Sequence, residues 1–380
     1  MERLDIAPRP DWPAQIEALG FDFNALDGIP YWHEAACYRF TADEIDVIEA
    51  AANELHGLCL QAVERIVTER LYGRLGLPPA AWPLIEASWA AREPSLYGRF
   101  DLVYDGVNPP KMLEYNADTP TSLFEAAIVQ WYWKEQVFPE ADQFNSLHEA
   151  LVARWQEMRA TAGPGDDTVY TTCTTPHPED EATVQYIGTT AMEAGWRGKF
   201  IPIEQIGWDA GRRVFVDLDG LTMRRIFKLY PWEWLLREAF GGHIPRAGAL
   251  FVEPAWKLLL SNKGILPILW EMFPGHENLL PSYLDPTPLG TAPSVRKPLL
   301  GREGANVAIW DGTRMIAETD GPYAESGYVY QAYAPPAEFG GVRCNLGVWI
   351  IGDEAHGMGI REDDGLVMGN ESRFVPHIFE

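Results

Sequence analysis

Four polar side chains on a short segment of the chain, Arg99, Asp101, Glu114 and Asn116, could do chemistry together. They lie in two strand-like runs, RFDLV and KMLEYN, and the intervening DGVNPP contains two turn signals. An antiparallel hairpin closed symmetrically at that turn places Asp101 opposite Glu114 and Arg99 opposite Asn116. Because strand side chains alternate between the two faces of a sheet, all four share one face, to which the alternation also assigns Met112.

Two carboxylates directly across a sheet ladder destabilise it. At about 5 Å and an effective dielectric constant of about 20, the repulsion between Asp101 and Glu114 is about 3 kcal/mol. Either a raised pKa on one acid or a bound cation offsets it. An Asp, a Glu and an Asn oxygen form the hard donor set that holds Mg²⁺, with water and nucleotide phosphates as further ligands. The alternative is a solvated hairpin edge on which Arg99 pairs with one acid.

The composition limits the partners of the protein. Its 380 residues include 55 acidic and 30 basic side chains, a formal charge of -25. This charge disfavours nucleic acid and anionic membranes and attracts cationic substrates, although acidity also serves solubility. The four cysteines show no C-x-x-C pairing, and no apolar run has the character of a signal peptide or a membrane span. We expect a cytoplasmic protein with a large core, and the oligomeric state stays open.

Helices are predicted on both sides of the hairpin. Upstream, apolar residues recur at helical spacing over residues 41–72 behind a capping box of Thr41 and Glu44, so the N-terminal part is predicted to be mainly helical. Downstream, Ser122 and Glu125 form a second predicted capping box. The first turn of that helix would offer free backbone N–H groups to a phosphate or a carboxylate.

The middle of the chain predicts a parallel sheet. DDTVYTTC is typical of a strand, HPEDEATVQYIGTTAMEAG of a helix and GKFIPIEQI of a second strand, which together form a β-α-β unit. Glu179, Asp180 and Glu181 follow the carboxyl end of the first strand, the usual ligand side of an open α/β sheet. Acids in a first helical turn also interact favourably with the helix dipole, and the sequence leaves both interpretations open.

The last third of the chain is strand-rich and holds two lysines beside glycines. Lys297 lies near the end of a strand and precedes a glycine-bounded loop, residues 301–304, whose backbone amides could surround phosphate oxygens. Lys263 stands at the start of an apolar helix, and Gln331 and Arg361 lie in later strands. No Walker A motif, dinucleotide fingerprint, catalytic triad signature or zinc spacing occurs in the sequence.

In this collinear order the chain resembles the glutathionylspermidine synthase family of ATP-grasp C–N ligases. The resemblance runs from GFDFNALDGIPYW to RFVPHIF, and its most specific pieces are YGRFDLVYDG, MLEYNADTPTS, EPAWKLLLSNKGILPILW, VRKPLLGREGAN and GMGIREDDGL. It implies a mixed α/β fold with an ATP-grasp-type catalytic unit over residues 8–380. The implied lobes are a helical N-terminal part (1–95), a lobe with the hairpin and the parallel sheet (96–250) and a strand-rich nucleotide-binding lobe (251–380). Bifunctional members add an amidase domain, for which this chain has no room, so we expect a stand-alone synthetase.

The resemblance also implies a role for each site residue. Arg99 would steady the transferring phosphoryl group and contact the nucleotide together with Asp101, and Arg361 would approach the reacting centre. The magnesium ligands would be Asp101, Glu114 and Asn116. The acid and the amine would be recognised by Thr119 and by Glu179, Asp180 or Glu181. The nucleotide would be held by Lys263, Lys297, Glu303, Gly304, Gln331, Ala332, Tyr333, Ala334, Asn345, Leu366, Val367 and Met368.

Three positions depart from the family pattern. Thr119 replaces a serine that contacts glutathione, Ser122 replaces a cysteine, and Leu229 in KLYPW removes a hydroxyl contact to the substrate. The resemblance thus covers the phosphoryl-transfer machinery but not the whole substrate pocket. We predict an ATP- and Mg²⁺-dependent ligase that joins a carboxylate to an amine through an acyl phosphate, with glutathione and spermidine or a related polyamine as the family default. The alternative is a nucleotide- or polyamine-binding protein of the same fold without ligase turnover.

Overall fold

The computed structural model describes residues 1–26, 28–163 and 167–380. Its α-helices are Trp12–Glu17, Ala42–Glu69, Trp82–Ala90, Gln130–Val137, Leu147–Ala160, Pro178–Glu193, Trp232–Leu235, Ile244–Ala247, Leu258–Ser261 and Ile265–Met272. One π-helical turn, Glu125–Val129, leads into the fourth of them. The 3-10 helices are Leu71–Leu75, Pro79–Ala81, Ile203–Gln205, Gly241–His243, Ala255–Lys257, Thr287–Leu289 and Ala324–Ser326. Among the described residues, none of the helices has both the length and the apolar character needed to cross a bilayer.

A six-stranded antiparallel sheet contains the predicted hairpin. Its strands run in the order Arg373–Val375, Glu354–Asp363, Val342–Ile351, Tyr97–Val103 and Lys111–Asn116, with Ala337–Phe339 pairing beside Val342–Ile351. The 28-residue helix Ala42–Glu69 packs on the two ten-residue strands of this sheet. Its apolar face, with Leu55, Cys59 and Val63, is buried in the main hydrophobic core. The hairpin is therefore held by a large, well-packed layer.

The predicted β-α-β unit is confirmed. A four-stranded parallel sheet has the order Leu250–Val252, Arg225–Leu229, Thr168–Cys173 and Arg197–Phe200. The helix Pro178–Glu193 connects its last two strands and packs against both. Asp166, with which the predicted strand DDTVYTTC begins, lies outside the described residues. Because Thr168–Cys173 and Arg225–Leu229 are parallel neighbours, with Cys173 opposite Leu229, their carboxyl ends lie side by side.

A five-stranded antiparallel sheet makes up much of the last third of the chain. Its order is Ser282–Tyr283, Tyr328–Ala332, Ser294–Pro298, Ala308–Trp310 and Met315–Glu318. Lys297 and Gln331 lie on its two central strands, and the predicted glycine-bounded loop connects Ser294–Pro298 to Ala308–Trp310. The apolar helix Ile265–Met272 follows Lys263, as predicted.

The N-terminal part differs in one respect from the mainly helical prediction. Its capping box is present, because Thr41 and Glu44 exchange side-chain and backbone hydrogen bonds before the long helix. However, Glu2–Asp5 and Ala36–Phe40 are strands, and they form a three-stranded sheet with His377–Phe379. Short strands need partners, and here the partner lies at the opposite end of the chain, which no local pattern reveals. Two further two-stranded sheets pair Ala25–Leu26 with Ile29–Pro30 and Gly207–Asp209 with Val214–Val216.

The predicted mixed α/β fold is confirmed by this combination of parallel and antiparallel sheets. The boundaries of the three predicted lobes stay a prediction. The hairpin, assigned to the middle lobe, shares its sheet with strands from residues 337–375.

Candidate active site

The predicted site residues meet in a cavity of about 470 Å³ between the three larger sheets. Every one of them except Glu181 lines it. The Glu181 carboxylate instead accepts a hydrogen bond from the backbone N–H of His177 at 2.9 Å. The cavity-lining members of the predicted set are Arg99, Asp101, Glu114, Asn116, Thr119, Glu179, Asp180, Lys263, Lys297, Glu303, Gly304, Gln331, Ala332, Tyr333, Ala334, Asn345, Arg361, Leu366, Val367 and Met368.

The hairpin has the predicted register in its functional half. Asp101 pairs with Glu114 and Arg99 pairs with Asn116. The assignment of Met112 to the polar face is wrong. A β-bulge between Asp101 and Leu102 shifts the pairing by one residue, so Met112 lies opposite Leu102 and is fully buried. A bulge inserts one residue without a partner and thereby exchanges the faces beyond it.

The bulge also connects the hairpin to the five-stranded sheet. Lys297 donates from Nζ to the carbonyl oxygen of Leu113 at 3.0 Å, and Gln331 donates from Nε2 to that of Met112 at 3.2 Å. Lys297 also donates to Oε1 of Gln331 at 2.8 Å. The carbonyl oxygen of Leu113 and the side-chain oxygen of Gln331 thus hold the amine of Lys297, whose charge acts on Glu114.

Each of the two opposed carboxylates has a cationic partner. Asp101 accepts from Nε of Arg99 at 2.8 Å, and Glu114 lies 3.1 Å from the amine of Lys263. Arg99 therefore pairs with one acid, as the solvated-edge alternative requires, but both acids line a cavity instead of an outer surface. Burial acts to raise the pKa of Glu114, yet the charges of Lys263 and Lys297 outweigh it, and the pKa lies below its ordinary value.

Lys297 is a cavity-lining lysine with a lowered pKa. Burial lowers its pKa to about 8, against the opposing effect of the Glu114 carboxylate. A phosphate bound beside the ammonium favours the charged form and raises this pKa. We therefore expect nucleotide binding to take up a proton above pH about 8, and nucleotide affinity to fall as pH rises beyond that value.

Titration calorimetry of ADP in buffers with different ionisation enthalpies measures this proton uptake directly. Lys297→Met should abolish the uptake and weaken binding, whereas the matched control Lys111→Met, outside the cavity, should retain both. Binding without proton uptake in the unmodified protein at pH about 9 would contradict the expectation.

The glycine-bounded loop packs against the segment 366–369. Gly304 has φ of +67°, and a Cβ at this position would collide with the carbonyl oxygen of Met368. Lys263 donates from Nζ to the carbonyl oxygen of Gly301 at 2.7 Å. Glycine is needed at position 304 because only it combines this backbone conformation with so close an approach.

Arg302, inside this loop, is a site residue that the sequence interpretation missed. It donates from Nη1 to Oγ1 of Thr119 at 2.6 Å and from Nη2 to Oε1 of Glu233 at 2.7 Å. All three line the cavity. The available signal was an arginine between the glycines of a predicted phosphate loop, since such a guanidinium can contact anions that the loop binds.

The second predicted capping box is wrong. Ser122 and Glu125 do not cap the helix; their side chains both meet the hydroxyl of Tyr31, at 2.9 and 2.6 Å. Ser122 has φ of +68°, which is uncommon for a residue with a side chain, and the helical segment that begins at Leu123 continues into the π-helical turn Glu125–Val129. Contacts with the distant Tyr31 hydroxyl have replaced the local hydrogen bonds of a capping box. Tyr31 was also missed, because its sequence distance from the hairpin hides the contact.

The acids after the first strand of the parallel sheet form one wall of the cavity. Glu179 and Asp180 line it, and the backbone N–H of Asp180 donates to Nδ1 of His177, which caps the helix. Burial raises the pKa of Asp180 to about 6, with support from Glu179 and Glu303 against the opposing His177. This wall has a surplus of negative charge that a cation could balance.

Arg361 lies across the cavity beside Tyr31. Its guanidinium carbon is 5.6 Å from the centroid of the Tyr31 ring, and Nη2 donates to the carbonyl oxygens of Gly369 and Ser372 at 2.7 and 3.0 Å. The strand neighbours of Arg361 are Asn345 on one side and Phe374 on the other. A small apolar cluster of the five-stranded sheet and the segment after Arg361 forms another wall; it contains Val295, Val307, Ile309, Ala317, Tyr333, Leu366 and Val367.

Comparison with known proteins identifies the family. The family model described as glutathionylspermidine synthase preATP-grasp matches residues 3–380. A protein of Haemophilus influenzae named as an acid–amine ligase is 43% identical over the full length of both chains. A trypanothione synthetase of Crithidia fasciculata is 28% identical over 86% of this chain, and the bifunctional glutathionylspermidine synthetase/amidase of Escherichia coli is 26% identical over 96% of it. The chain spans 54% and 61% of the lengths of these last two proteins.

A solved structure supports the fold. The apo glutathione synthetase-like effector of Globodera pallida is 11% identical, with a TM-score of 0.60 over 98% of this chain and all of its own. The predicted fold type is confirmed by this likeness together with the family match. The predicted enzyme class, a ligase that joins an acid to an amine, agrees with the family and with the most similar of these relatives. The chain belongs to the glutathionylspermidine synthase family.

Proposed function

We propose that the chain is an ATP- and Mg²⁺-dependent ligase that joins a carboxylate to a cationic amine through an acyl phosphate. The observation that carries the proposal is the convergence in one cavity of two opposed carboxylates, two lysine amines and a glycine-bounded loop. Each of these features suits triphosphate and metal, and they come from different parts of the fold. Their roles are inferred from this geometry and from the family.

The donor set fits Mg²⁺. In the described part of the chain, no group of three or more His, Cys, Asp and Glu side chains could enclose a metal. A metal held by Asp101, Glu114 and Asn116 would therefore share its coordination with phosphate and water, as Mg²⁺ does at nucleotide sites. The Asp101 and Glu114 side chains are 24% and 28% exposed, so their oxygens remain accessible from the cavity.

The remaining residues would position phosphates and stabilise charge. When bound, the metal would supply positive charge that stabilises the negative charge of the phosphates. Lys263 and Lys297 would contact phosphate oxygens, and Arg99 would meet the charge that grows on the transferred phosphoryl group. The backbone of the loop around Gly304 would enclose the phosphates, and the apolar cluster with Tyr333 would face the adenine ring. Phosphoryl transfer needs little else from a protein than such positioning.

The walls of the cavity suggest where the two substrates bind. The acidic wall of Glu179 and Asp180 suits an ammonium group; burial raises the pKa of Asp180, and the neighbouring carboxylates of Glu179 and Glu303 add to that rise. The loop of Thr119 lies next to Arg99 and Arg302, which suits a carboxylate. Glutathione and spermidine are the first candidates because relatives are named for their products. Leu229 lines the same cavity and offers no hydroxyl there.

Turnover with defined substrates tests the proposal. Phosphate release from ATP with Mg²⁺ should require both an acid, such as glutathione, and an amine, such as spermidine, and mass spectrometry should detect a new amide. Nucleotide binding without phosphate release or amide across a panel of thiol peptides and polyamines would instead support the alternative, a binding protein of the same fold.

Glu114→Gln should weaken Mg·ATP binding strongly. The substitution removes one anionic ligand but preserves size and the strand, so about 10-fold or more is expected for one lost charged contact of about 1.5–3 kcal/mol. Titration calorimetry with a non-hydrolysable ATP analogue, with and without Mg²⁺, separates the metal role from direct contact. The matched control Glu179→Gln, on the acidic wall, should retain nucleotide affinity, and an unchanged affinity in Glu114→Gln would remove Glu114 from the metal site.

A further inference from the structure

Three polar side chains at one corner of the cavity form a chain of hydrogen bonds that no step described so far uses. The Tyr31 hydroxyl donates to Oε1 of Glu125 at 2.6 Å and lies 2.9 Å from Oγ of Ser122. Tyr31 and Ser122 line the cavity, whereas Glu125 lies behind them and is fully buried. We propose that Ser122, Tyr31 and Glu125 form a proton relay that deprotonates the attacking amine; this rests on the proposed ligase function.

The direction of the relay follows from proton counting. Tyr31 has one hydroxyl proton, which it donates to Glu125, so the hydrogen bond between Tyr31 and Ser122 must be donated by Ser122. The lone pairs of the Ser122 oxygen are then free to accept from a group in the cavity. An alkylammonium placed there would give a proton to Ser122, which would pass its own to Tyr31, which would pass its own to Glu125.

The chemical step balances with this transfer. An amine attacks the carbonyl carbon of the acyl phosphate, the C–N bond forms, the bond from carbon to the phosphate oxygen breaks, and phosphate leaves. The first proton, which the ammonium must lose to become a nucleophile, ends on the Glu125 carboxylate, and the second, which the nitrogen loses as the amide forms, leaves with the phosphate as hydrogen phosphate. No oxidant or further reactant is required, and phosphate or solvent can later remove the proton.

The surroundings of Glu125 suit a proton acceptor. Its Oε2 has no hydrogen-bond partner among the described residues, an uncommon and costly condition for a buried carboxylate oxygen. Burial raises its pKa to about 7, with the charge of Glu179 in support and with Tyr31 and Arg361 opposed. Burial also keeps the pKa of Tyr31 well above its ordinary value, so its hydroxyl stays protonated and passes protons without holding charge.

The backbone at this corner is shaped for the contact. Ser122 adopts the left-handed conformation, and Glu125 begins a π-helical turn. Both conformations are uncommon and occur preferentially at functional sites. Together they bring the two side chains to one tyrosine hydroxyl, where ordinary helix capping would have turned them toward the backbone.

Two nucleophiles of different protonation state test the relay. With glutathione as the acid, spermidine is protonated at neutral pH and needs a proton acceptor, whereas hydroxylamine is already uncharged and does not. Glu125→Gln, Tyr31→Phe and Ser122→Ala should each lower amide formation from spermidine by about 100-fold or more. The same variants should form the hydroxamate from hydroxylamine at the wild-type rate, because the acyl phosphate still forms.

The pH dependence and a control variant sharpen the test. In the wild type the rate with spermidine should rise with pH through about 7 as Glu125 ionises, and Glu125→Gln should lose this rise. Tyr72→Phe removes a buried tyrosine hydroxyl outside the cavity and should change neither product. The relay is overturned if the three relay variants lose amide and hydroxamate formation to the same extent. It is also overturned if they retain both at the wild-type rate. A wild type that forms neither product with any acid of the thiol-peptide panel overturns the proposed function itself, and the relay with it.

Discussion

Arg99→Ala should retain nucleotide binding and lose turnover by about 1,000-fold or more, the range found when an arginine that stabilises a transferring phosphoryl group is removed. The guanidinium sits between two parts of the site: it donates to both Asp101 oxygens, at 2.8 and 3.3 Å, and from Nη1 to the carbonyl oxygen of Thr121 at 2.6 Å. It therefore connects the hairpin to the loop that contains Thr119 and Thr121. Its side chain is 14% exposed, toward the cavity.

A matched variant separates charge from geometry at this position. Arg99→Lys retains the positive charge but cannot bond Asp101 and Thr121 at once, so we expect intermediate turnover. Phosphate release measures turnover, and calorimetry with a non-hydrolysable ATP analogue measures affinity. Turnover of Arg99→Ala near that of the wild type would exclude the phosphoryl role, and a parallel loss of affinity would show that Arg99 acts mainly in binding.

Local patterns predicted the functional half of the hairpin because turn chemistry and alternation fix its register without help from the rest of the chain. They could not predict the bulge, in which Leu113 is the residue without a strand partner. Its carbonyl oxygen accepts a hydrogen bond from Lys297, which lies on a strand far away in the sequence. The Ser122 capping box failed for the same reason, since Tyr31 offers both side chains a competing partner. The collinear motifs identified residues that nearly all line one cavity in the structure. Arg302 and Glu125 were not identified, because their contacts to Thr119, Glu233 and Tyr31 join residues that are distant in the sequence.

Asp118 connects the hairpin to the parallel sheet through a buried ion pair. Its Oδ1 accepts from Nζ of Lys228 at 2.6 Å, and its Oδ2 accepts from the backbone N–H of Trp232 at 2.8 Å. Both charged side chains are almost completely buried. Burial lowers the pKa of Lys228 in spite of the adjacent carboxylate, so the ammonium depends on Asp118 for its charge balance.

Asp118→Asn should lower the free energy of unfolding by about 3–5 kcal/mol, because it leaves the Lys228 ammonium buried without an anion. It should also lower turnover, since Asp118 stands between Asn116 and Thr119, and Lys228 precedes Leu229. The double variant Asp118→Asn with Lys228→Met removes both charges and should recover most of the stability.

Urea unfolding of both single variants and the double variant gives the coupling between the two side chains directly. The matched control Asp364→Asn removes a carboxylate that pairs with Arg373 at the surface and should change the unfolding midpoint little, because exposed ion pairs contribute about 1 kcal/mol or less. If turnover stays low in the double variant after stability has recovered, the ion pair positions the loop of Thr119 as well as stabilising the fold. If Asp118→Asn unfolds at the wild-type urea concentration, the pair does not hold the two sheets together, and their alignment comes from other contacts, such as the hydrogen bonds that Glu253 accepts from the backbone N–H groups of Leu96 and Tyr97.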